Sequence, residues 1–462
     1  MNFYGRTEQL DKLHREIKTE SMRVMMIYGR RRIGKSELIK QLIRQENIKT
    51  IYYECKQTSE KNNTESLSQI ISETFFLPKL AFSGFEELID YIFQISEKQK
   101  ILFVLDEYPF LKSEIKGLDS ILQSIIDRYK NTSLLKFVML GSYVETMKNL
   151  LDHSNPLFGR IDLTINLQPM DYFESAMFYD KFCDADKVRL YSVFGGIPYY
   201  NSLIDDRSSV RENIIELIAS PDARLLNEIP MYLKSEMSKM TNANEVFETL
   251  AKGFSRYNDL LTKSHVSSGP TLVDVLEKLI KMEIVKKISP INDENNRKKT
   301  GYYISDNLSL FYYRYIFRYS SQMNIMDPEV FFEKYIRDDF ESYYVPLQFE
   351  EIGRQFLIRR NKSGNISPVI EKIGKYYYDD PDTHTNGEFD IVTQDENGYI
   401  FYEVKFKNAP LSSSEIRKEI EQVKASGLNC YRYGFISRSG FTEKTLPDVK
   451  YIELSELYHS GK

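Results

Sequence analysis

Three places in the chain combine residue types and spacings that could do chemistry. The first is Gly29-Arg30-Arg31-Arg32-Ile33-Gly34-Lys35-Ser36, which satisfies every fixed position of G-x4-G-K-[ST]. Its glycines let backbone N–H groups turn inward around phosphate oxygens, and a helix starting beside it adds the partial positive charge of its N-terminus. Lys35 is expected to reach the β- and γ-phosphates of a nucleoside triphosphate, ATP in the first instance, and the Ser36 hydroxyl to ligate Mg2+. Glu37 adjoins the stretch and is counted with it. The second place is Ile101–Glu107, an apolar run closed by two carboxylates. Asp106, at the end of what reads as the strand neighbouring the phosphate loop, is expected to hold the Mg2+ shell, and Glu107 to polarise an attacking water. Two adjacent acids exceed what binding alone needs, so Glu107 points to hydrolysis. Ser142, after the next apolar run, is placed to contact the γ-phosphate or the water; an ordinary strand-to-loop turn reads there too. Arg160 is a candidate for neutralising transition-state charge, and a plain surface arginine fits the position equally well.

The third place is near the C-terminus. Gly387-Glu388-Phe389-Asp390-Ile391-Val392 and Ile400-Phe401-Tyr402-Glu403-Val404-Lys405 read as two strands joined through Asp395-Glu396-Asn397-Gly398. If Asn397-Gly398 alone forms the loop, Asp390 lies opposite Lys405. If all four residues do, it lies opposite Glu403. Strand side chains alternate, so either register gathers Asp390, Glu403 and Lys405 on one face. Two carboxylates can hold Mg2+, and a lysine beside them can orient or deprotonate a water; the metal then stabilises charge on a scissile phosphate. The spacing D-x12-E-x-K is loose, and a surface hairpin with acids and lysines gives the same pattern.

These residues need elements to hold them. The first 150 residues alternate strands (Val24–Tyr28, Thr50–Glu54, Ile101–Leu105, Phe137–Leu140) with helices (Ser36–Arg44, Leu67–Phe75, Phe85–Ile95, Leu118–Tyr129), which implies a parallel sheet covered by helices. From about 165 to 240 the pattern is mainly helical, broken at Gly195-Gly196-Ile197-Pro198. Helices at Glu245–Ala251, Tyr257–Thr262 and Pro270–Lys281 then precede a hairpin of Ile284–Ile288 and Gly301–Ile304, the order of a winged helix. Its wing carries Lys286, Lys287, Arg297, Lys298 and Lys299, suited to phosphate contacts. The third helix bears Asp274 and Glu277, which would face DNA unfavourably, so protein packing or a lid in the nucleotide cycle reads there as well as DNA contact. A Tyr-rich helix (Leu308–Tyr319), a helix at 345–360, strands Phe389–Thr393, Tyr399–Phe406, Arg432–Ser437 and Val449–Leu454, and a helix Ser413–Lys424 complete the chain.

The 462 residues fit two to four domains, and 42% apolar residues suffice for packed cores. Lysine plus arginine (62) nearly balances aspartate plus glutamate (67), which excludes a chain basic throughout but leaves room for local basic patches. Cys55, Cys183 and Cys430 lie too far apart in sequence to show a zinc or disulfide pattern, as suits a reducing cytosol. A polar N-terminus and the lack of any apolar run of about 18 residues point to a cytoplasmic protein without a membrane span.

A family resemblance ties the pieces together. Phe3-Tyr4-Gly5-Arg6-Thr7-Glu8-Gln9-Leu10 is similar to the F-x-G-R-x-x-E-L start of prokaryotic AAA+-related ATPases of the STAND class, one residue looser at its end. Asp106-Glu107-Tyr108-Pro109-Phe110, Gly141-Ser142 and Gly195-Gly196-Ile197-Pro198-Tyr199-Tyr200 follow in the same order. Together they resemble archaeal and bacterial P-loop ATPases that carry a winged helix and a C-terminal nuclease-like domain. The resemblance implies that Tyr4, Gly5 and Arg6 lie near the adenine and that Gly195–Tyr200 starts a helical lid. D then E-x-K resembles the restriction-endonuclease-like, PD-(D/E)xK, superfamily, which places an acid on an earlier helix. That resemblance favours Glu350, with Glu351 open and Gln422 a weaker candidate. The expected fold is therefore α/β: a P-loop ATPase core over 1–165, a helical lid over 166–240, a winged helix over 241–320 and a restriction-endonuclease-like domain over 321–462. The expected partners are ATP, Mg2+ and DNA, with self-association open and no membrane.

Overall fold

The computed structural model describes residues 3–236, 240–380 and 385–459. The chain forms two compact units, Met1–Pro169 and Met170–Lys462.

The first unit is built on five parallel strands: β1 (Arg23–Tyr28), β2 (Lys49–Glu54), β3 (Ile101–Asp106), β4 (Lys136–Gly141) and β5 (Leu163–Asn166). Their order is β2-β3-β4-β1-β5. β3 and β4 are buried along their whole length, and β1 from its second residue on, which is why they read as unbroken apolar runs. Helices fill the connections, among them Lys35–Gln45, Phe85–Ile95 and Leu118–Tyr129. The last two send Leu88, Ile92, Phe93, Leu122 and Ile126 into one core with Phe103 and Phe137, whose rings stack at 5.2 Å. This is the P-loop NTPase fold. One expectation changes: β3 is not the neighbour of β1, because β4 pairs with both. Non-local strand order is not written in any local pattern.

The second unit opens with helices, including Asp184–Phe194, Pro198–Asn201 and Val210–Leu217. Gly195-Gly196-Ile197 forms the turn between the first two, tied down by Met170 N–H to the Gly196 carbonyl at 2.8 Å and Asn201 Nδ2 to the Gly195 carbonyl at 3.1 Å. Three helices, Met240–Ala251, Tyr257–Lys263 and Gly269–Lys281, then pack on one another and lead into the antiparallel hairpin β6 (Val285–Ile288) and β7 (Gly301–Ile304). The Tyr-rich segment continues helically from Asn307 to Phe317, its second part with wider π turns.

The unit ends in a mixed sheet of β8 (Lys372–Asp380), β9 (Thr385–Asp395), β10 (Gly398–Lys405), β11 (Cys430–Ser437) and β12 (Val449–Glu453), ordered β12-β11-β10-β9-β8. β8, β9 and β10 run antiparallel in turn; β11 and β12 are parallel to β10. The Ser413–Ala425 helix makes the β10-to-β11 crossover and begins in a Ser412–Glu415 capping box. The Val345–Lys362 helix packs on the sheet through Phe349 against Phe406, ring centroids 5.2 Å apart. β8 was not anticipated from the sequence. Among the described residues no helix is long and apolar enough to cross a membrane.

Candidate functional sites

The phosphate loop follows β1. Gly29 has φ 152°, and a Cβ there would stand 2.5 Å from the Leu167 carbonyl oxygen, so only glycine fits. Arg32 and Gly34 also take positive φ, and the helix starts at Lys35. Lys35 Nζ donates to the carbonyls of Gly29 (2.8 Å) and Arg30 (3.2 Å). Burial pushes its ammonium below the ordinary lysine value, against the attraction of Glu107 and Asp106. The Arg31 guanidinium lies 5.8 Å from the Tyr143 ring centroid. Ile33 is buried, and its carbonyl accepts from Arg6 at 3.4 Å, so the segment carrying Tyr4, Gly5 and Arg6 lies against the loop. Glu37 turns to the surface and pairs with Lys40 at 3.0 Å.

The two acids meet this loop from the end of β3. Ser36 Oγ donates to Asp106 Oδ2 at 2.6 Å, and the Tyr52 hydroxyl of β2 donates to the same oxygen. Glu107 N–H donates to Asp106 Oδ1 at 2.9 Å. Glu107 itself adopts φ 54°, a left-handed conformation costly for a non-glycine residue, and its Oε2 accepts from the Ser142 hydroxyl (2.7 Å) and backbone N–H (3.2 Å). The structure therefore brings Lys35, Ser36, Asp106, Glu107 and Ser142 together. The hydroxyl–carboxylate pair Ser36–Asp106 is an all-oxygen donor set of the kind Mg2+ takes alongside substrate phosphates, so the residues fit that ion. Tyr52 was not anticipated; only its place on β2, opposite Val104 and two residues short of Asp106, could have signalled it.

Arg160 is not brought to this site within its own chain. Its guanidinium grips Asp127 at 2.9 and 2.7 Å. Two residues on, Asp162 N–H bonds the carbonyl of Val24 near the start of β1, at the opposite end of the strand from the loop.

In the second unit, β9 and β10 pair with Asp395 opposite Gly398 and Tyr402 opposite Ile391. The loop is Glu396-Asn397, as short as the two-residue loop expected but one residue earlier, and its register, carried one step on, sets Asp390 opposite Glu403 as expected of the four-residue loop. Asp395 pins the turn by accepting from Asn397 N–H at 2.9 Å and from the Tyr431 hydroxyl at 2.5 Å. Lys405 pairs with Glu403 and reaches Glu419 of the crossover helix at 3.3 Å. Gln422 makes no such contact; Glu419, one turn earlier, is the helix residue that meets the lysine.

Glu350 and Glu351 part company because successive helical side chains point about 100° apart. Burial pushes the Glu350 carboxyl well above the ordinary range, reinforced by Asp390 and Glu403 and opposed by Lys375 and Lys405. Glu351 instead binds Arg354 at 2.9 and 2.5 Å and Lys286 at 3.4 Å. Burial would raise its carboxyl, but Lys286 and Arg354 outweigh that and hold it at about 2.

One residue of this cluster had no signal in the sequence. Lys375, on β8, lies 2.6 Å from Asp390 Oδ1 and 2.8 Å from Glu388 Oε1. Among the described residues no three His, Cys, Asp or Glu side chains form a ready metal cage. The arrangement is open: each of Asp390 and Glu403 faces its own lysine, with Glu350 behind. Two carboxylates are the kind of oxygen donors Mg2+ takes alongside substrate phosphates, since it seldom takes an all-protein cage.

The charges of the β6–β7 hairpin are partly committed. Lys286 goes to Glu351, and Lys299 to Asp293 at 2.9 Å. Lys287, Arg297 and Lys298 are exposed. On the third helix Asp274 and Glu277 are exposed, Asp274 paired to Lys278 at 3.1 Å.

Residues 3–203 match the family model of an ATPase domain predominantly from Archaea, and residues 312–420 that of archaeal and bacterial proteins of unknown function. An uncharacterized protein of Methanocaldococcus jannaschii is 27% identical over 420 residues, 90% of either chain. The Walker-type ATPase of Pyrococcus abyssi is similar in fold, with TM-score 0.52 and 18% identity over 68% of this chain and 96% of its own. The ORC2 protein of Aeropyrum pernix, in ADPNP-ADP complexes, follows at TM-score 0.43 and 13% identity over 69% and 96%.

Proposed function

We propose that the chain is an ATPase whose nucleotide state governs a metal-dependent hydrolytic centre acting on nucleic acid. The observation that carries the first half is the pair of brackets at the phosphate loop: Ser36 to Asp106 at 2.6 Å and Ser142 to Glu107 at 2.7 Å. Lys35 binds the terminal phosphates and backbone N–H groups of Gly29–Ser36 wrap them. Ser36 and Asp106 would hold Mg2+, which would supply charge neutralisation at those phosphates. Glu107 orients the attacking water and accepts its proton, while Ser142 fixes the carboxylate. Tyr4, Gly5 and Arg6 border the adenine side, and 166–240 serves as the lid. The matching ATPase family model supports this half.

The second half rests on Asp390, Glu403 and Glu350 clustering around two lysines. Burial raises the carboxyls of Glu350 and Glu403, with neighbouring acids adding to it, and groups displaced in this way cluster at functional sites. Asp390 and Glu403 would hold Mg2+, which supplies charge stabilisation at a scissile phosphate; Lys405 orients the water. The helix–β8–β9–β10–helix–β11 order supports a restriction-endonuclease-like domain over 321–462, preceded by a winged helix over 241–320.

A second reading, a nucleotide-driven scaffold whose C-terminal domain binds without cutting, draws on the wing: two of its five basic residues are spent inside the protein. One experiment separates them. Purified protein is assayed for Mg2+-dependent ATP turnover and for DNA cleavage with and without ATP, beside Lys35→Ala and Glu403→Ala. Loss of turnover in the first and of cleavage in the second supports the proposal; turnover unchanged by Lys35→Ala sinks the site, and intact ATPase with no cleavage by wild type favours the scaffold.

A further inference from the structure

The wing is docked on the edge of the C-terminal sheet, and its docking converges on one lysine. Ile291 N–H bonds the Lys375 carbonyl at 2.8 Å. Asn292 clasps Tyr377 through Nδ2 to its carbonyl at 2.7 Å and Oδ1 from its N–H at 3.1 Å. At Gly374 the approach is close enough that a Cβ would stand 2.9 Å from Ile291 Cγ2. Lys375 itself faces a bulge in β9: β8 and β9 pair as Gly374 with Val392 and then as Tyr376 with Phe389, so that Asp390 and Ile391 of β9 both oppose Lys375. Bulges bend a strand and re-aim a side chain. Here the ammonium is aimed between Glu388 and Asp390, and 5.3 Å from the ring centroid of Tyr303 on β7. Arg256, before the second helix of the same segment, completes the chain by binding Glu388 at 3.0 Å.

We propose that Lys375 is a built-in counter-cation and positioning residue for Asp390, held in register by the wing through Arg256, Glu388 and Tyr303. The proposal rests on reading Asp390 and Glu403 as a metal-dependent hydrolytic centre. It makes the three helices and hairpin part of that centre's frame. An ammonium fixed at 2.6 Å from Asp390 stops the carboxylates repelling one another and keeps Asp390 aimed at the site. It also competes with any divalent cation there. Anything that shifts the wing shifts Lys375, and with it the field at Asp390.

The test is Mn2+ binding to the full chain without nucleotide, followed by electron paramagnetic resonance, with Glu403→Ala identifying the signal from this site. Removing a fixed charge this close should tighten Mn2+ binding about threefold or more in Lys375→Gln. Lys375→Arg should stay near wild type, and Arg256→Ala should move toward Lys375→Gln. Lys372→Ala, which breaks only the Glu294 pair at 2.7 Å on the same wing contact, should change nothing. Equal Mn2+ affinity in wild type and Lys375→Gln would overturn the proposal, as would a Lys372→Ala effect matching it. Cleavage is read in parallel: Lys375→Gln should lose turnover with DNA affinity kept. If the Mn2+ differences appear while wild type cuts no DNA, the nuclease reading fails and the role of Lys375 stands. If wild type shows no Glu403-dependent Mn2+ site, both fall.

Discussion

Ser142 donates its hydroxyl hydrogen to Glu107 Oε2 at 2.7 Å, so a residue at the end of β4 steers the carboxylate that follows β3. β4 lies between β3 and the phosphate-loop strand, which sets Ser142 between the loop and the acid. Without the hydroxyl, Glu107 keeps its charge but loses its aim. Ser142→Ala should lower ATP turnover roughly tenfold and leave nucleotide affinity nearly unchanged, whereas Glu107→Gln should lower it about a hundredfold or more. Steady-state kinetics with a separate nucleotide-binding titration distinguishes the two.

Tyr52 shares Asp106 Oδ2 with Ser36. Removing its hydroxyl frees the carboxylate to rotate and weakens its hold on Mg2+. Tyr52→Phe should raise the Mg2+ concentration for half-maximal ATP turnover about threefold to tenfold, with much of the maximal rate recovered at saturating Mg2+. An unchanged Mg2+ curve would remove Tyr52 from the site.

Glu351 sets a pH dependence on the second unit. Its folded carboxyl titrates at about 2, below the ordinary value, so its contribution is fully present above about pH 4.5 and is lost as pH falls through about 2. Glu351→Gln leaves Arg354 and Lys286 without their acid. It should cost about 2 kcal/mol at pH 7, between the values for exposed and buried pairs. Denaturant melts of both proteins at pH 7, 5 and 4 should show the gap holding at pH 5 and narrowing at pH 4.

On the proposed reading, only part of the β6–β7 hairpin is free to meet a phosphate backbone. Neutralising Arg297 and Lys298 together should weaken DNA binding and flatten the salt dependence by roughly two units of slope. Lys299→Ala should act on the stability of the wing, because Lys299 holds Asp293 at 2.9 Å and lies 4.2 Å from the Tyr377 ring centroid. Fluorescence anisotropy across a salt series, with melting curves, separates these effects.

The legible parts of the molecule were those where local pattern and chemistry coincide. Gly29–Ser36 sits where an apolar strand meets an amphipathic helix, and Asp106-Glu107 closes a strand whose every residue is buried. β8 was invisible for the opposite reason. Its sequence, Lys-Ile-Gly-Lys-Tyr-Tyr-Tyr-Asp-Asp, has little apolar alternation, and its packing comes from tyrosine rings such as Tyr378 against Phe389, 4.9 Å apart. Lys375 was hidden with it, since its role comes from a bulge in the facing strand β9 and from Ile291 and Tyr303, far back in the chain. The β9–β10 register had two readings because both loops respected the Asn-Gly signal; the Asp395 bonds that decide it involve Tyr431, on another strand. Arg160 fitted a charge-neutralising role by residue type alone, and only its pair with Asp127 and the neighbouring Asp162 bond to Val24 set it at the far end of β1 from the loop.

The contact between Asn292 and Tyr377 has a bearing on solubility. β8 is the last strand of its sheet, and the outer strand of a sheet offers unpaired N–H and C=O groups to any other chain that can align with them. Ile291 and Asn292 use up the carbonyls of Lys375 and Tyr377 and the N–H of Tyr377. A version of the protein cut between Ile288 and Lys372 would carry a bare, tyrosine-lined rim and should self-associate, so the hairpin also shields the sheet from its own kind.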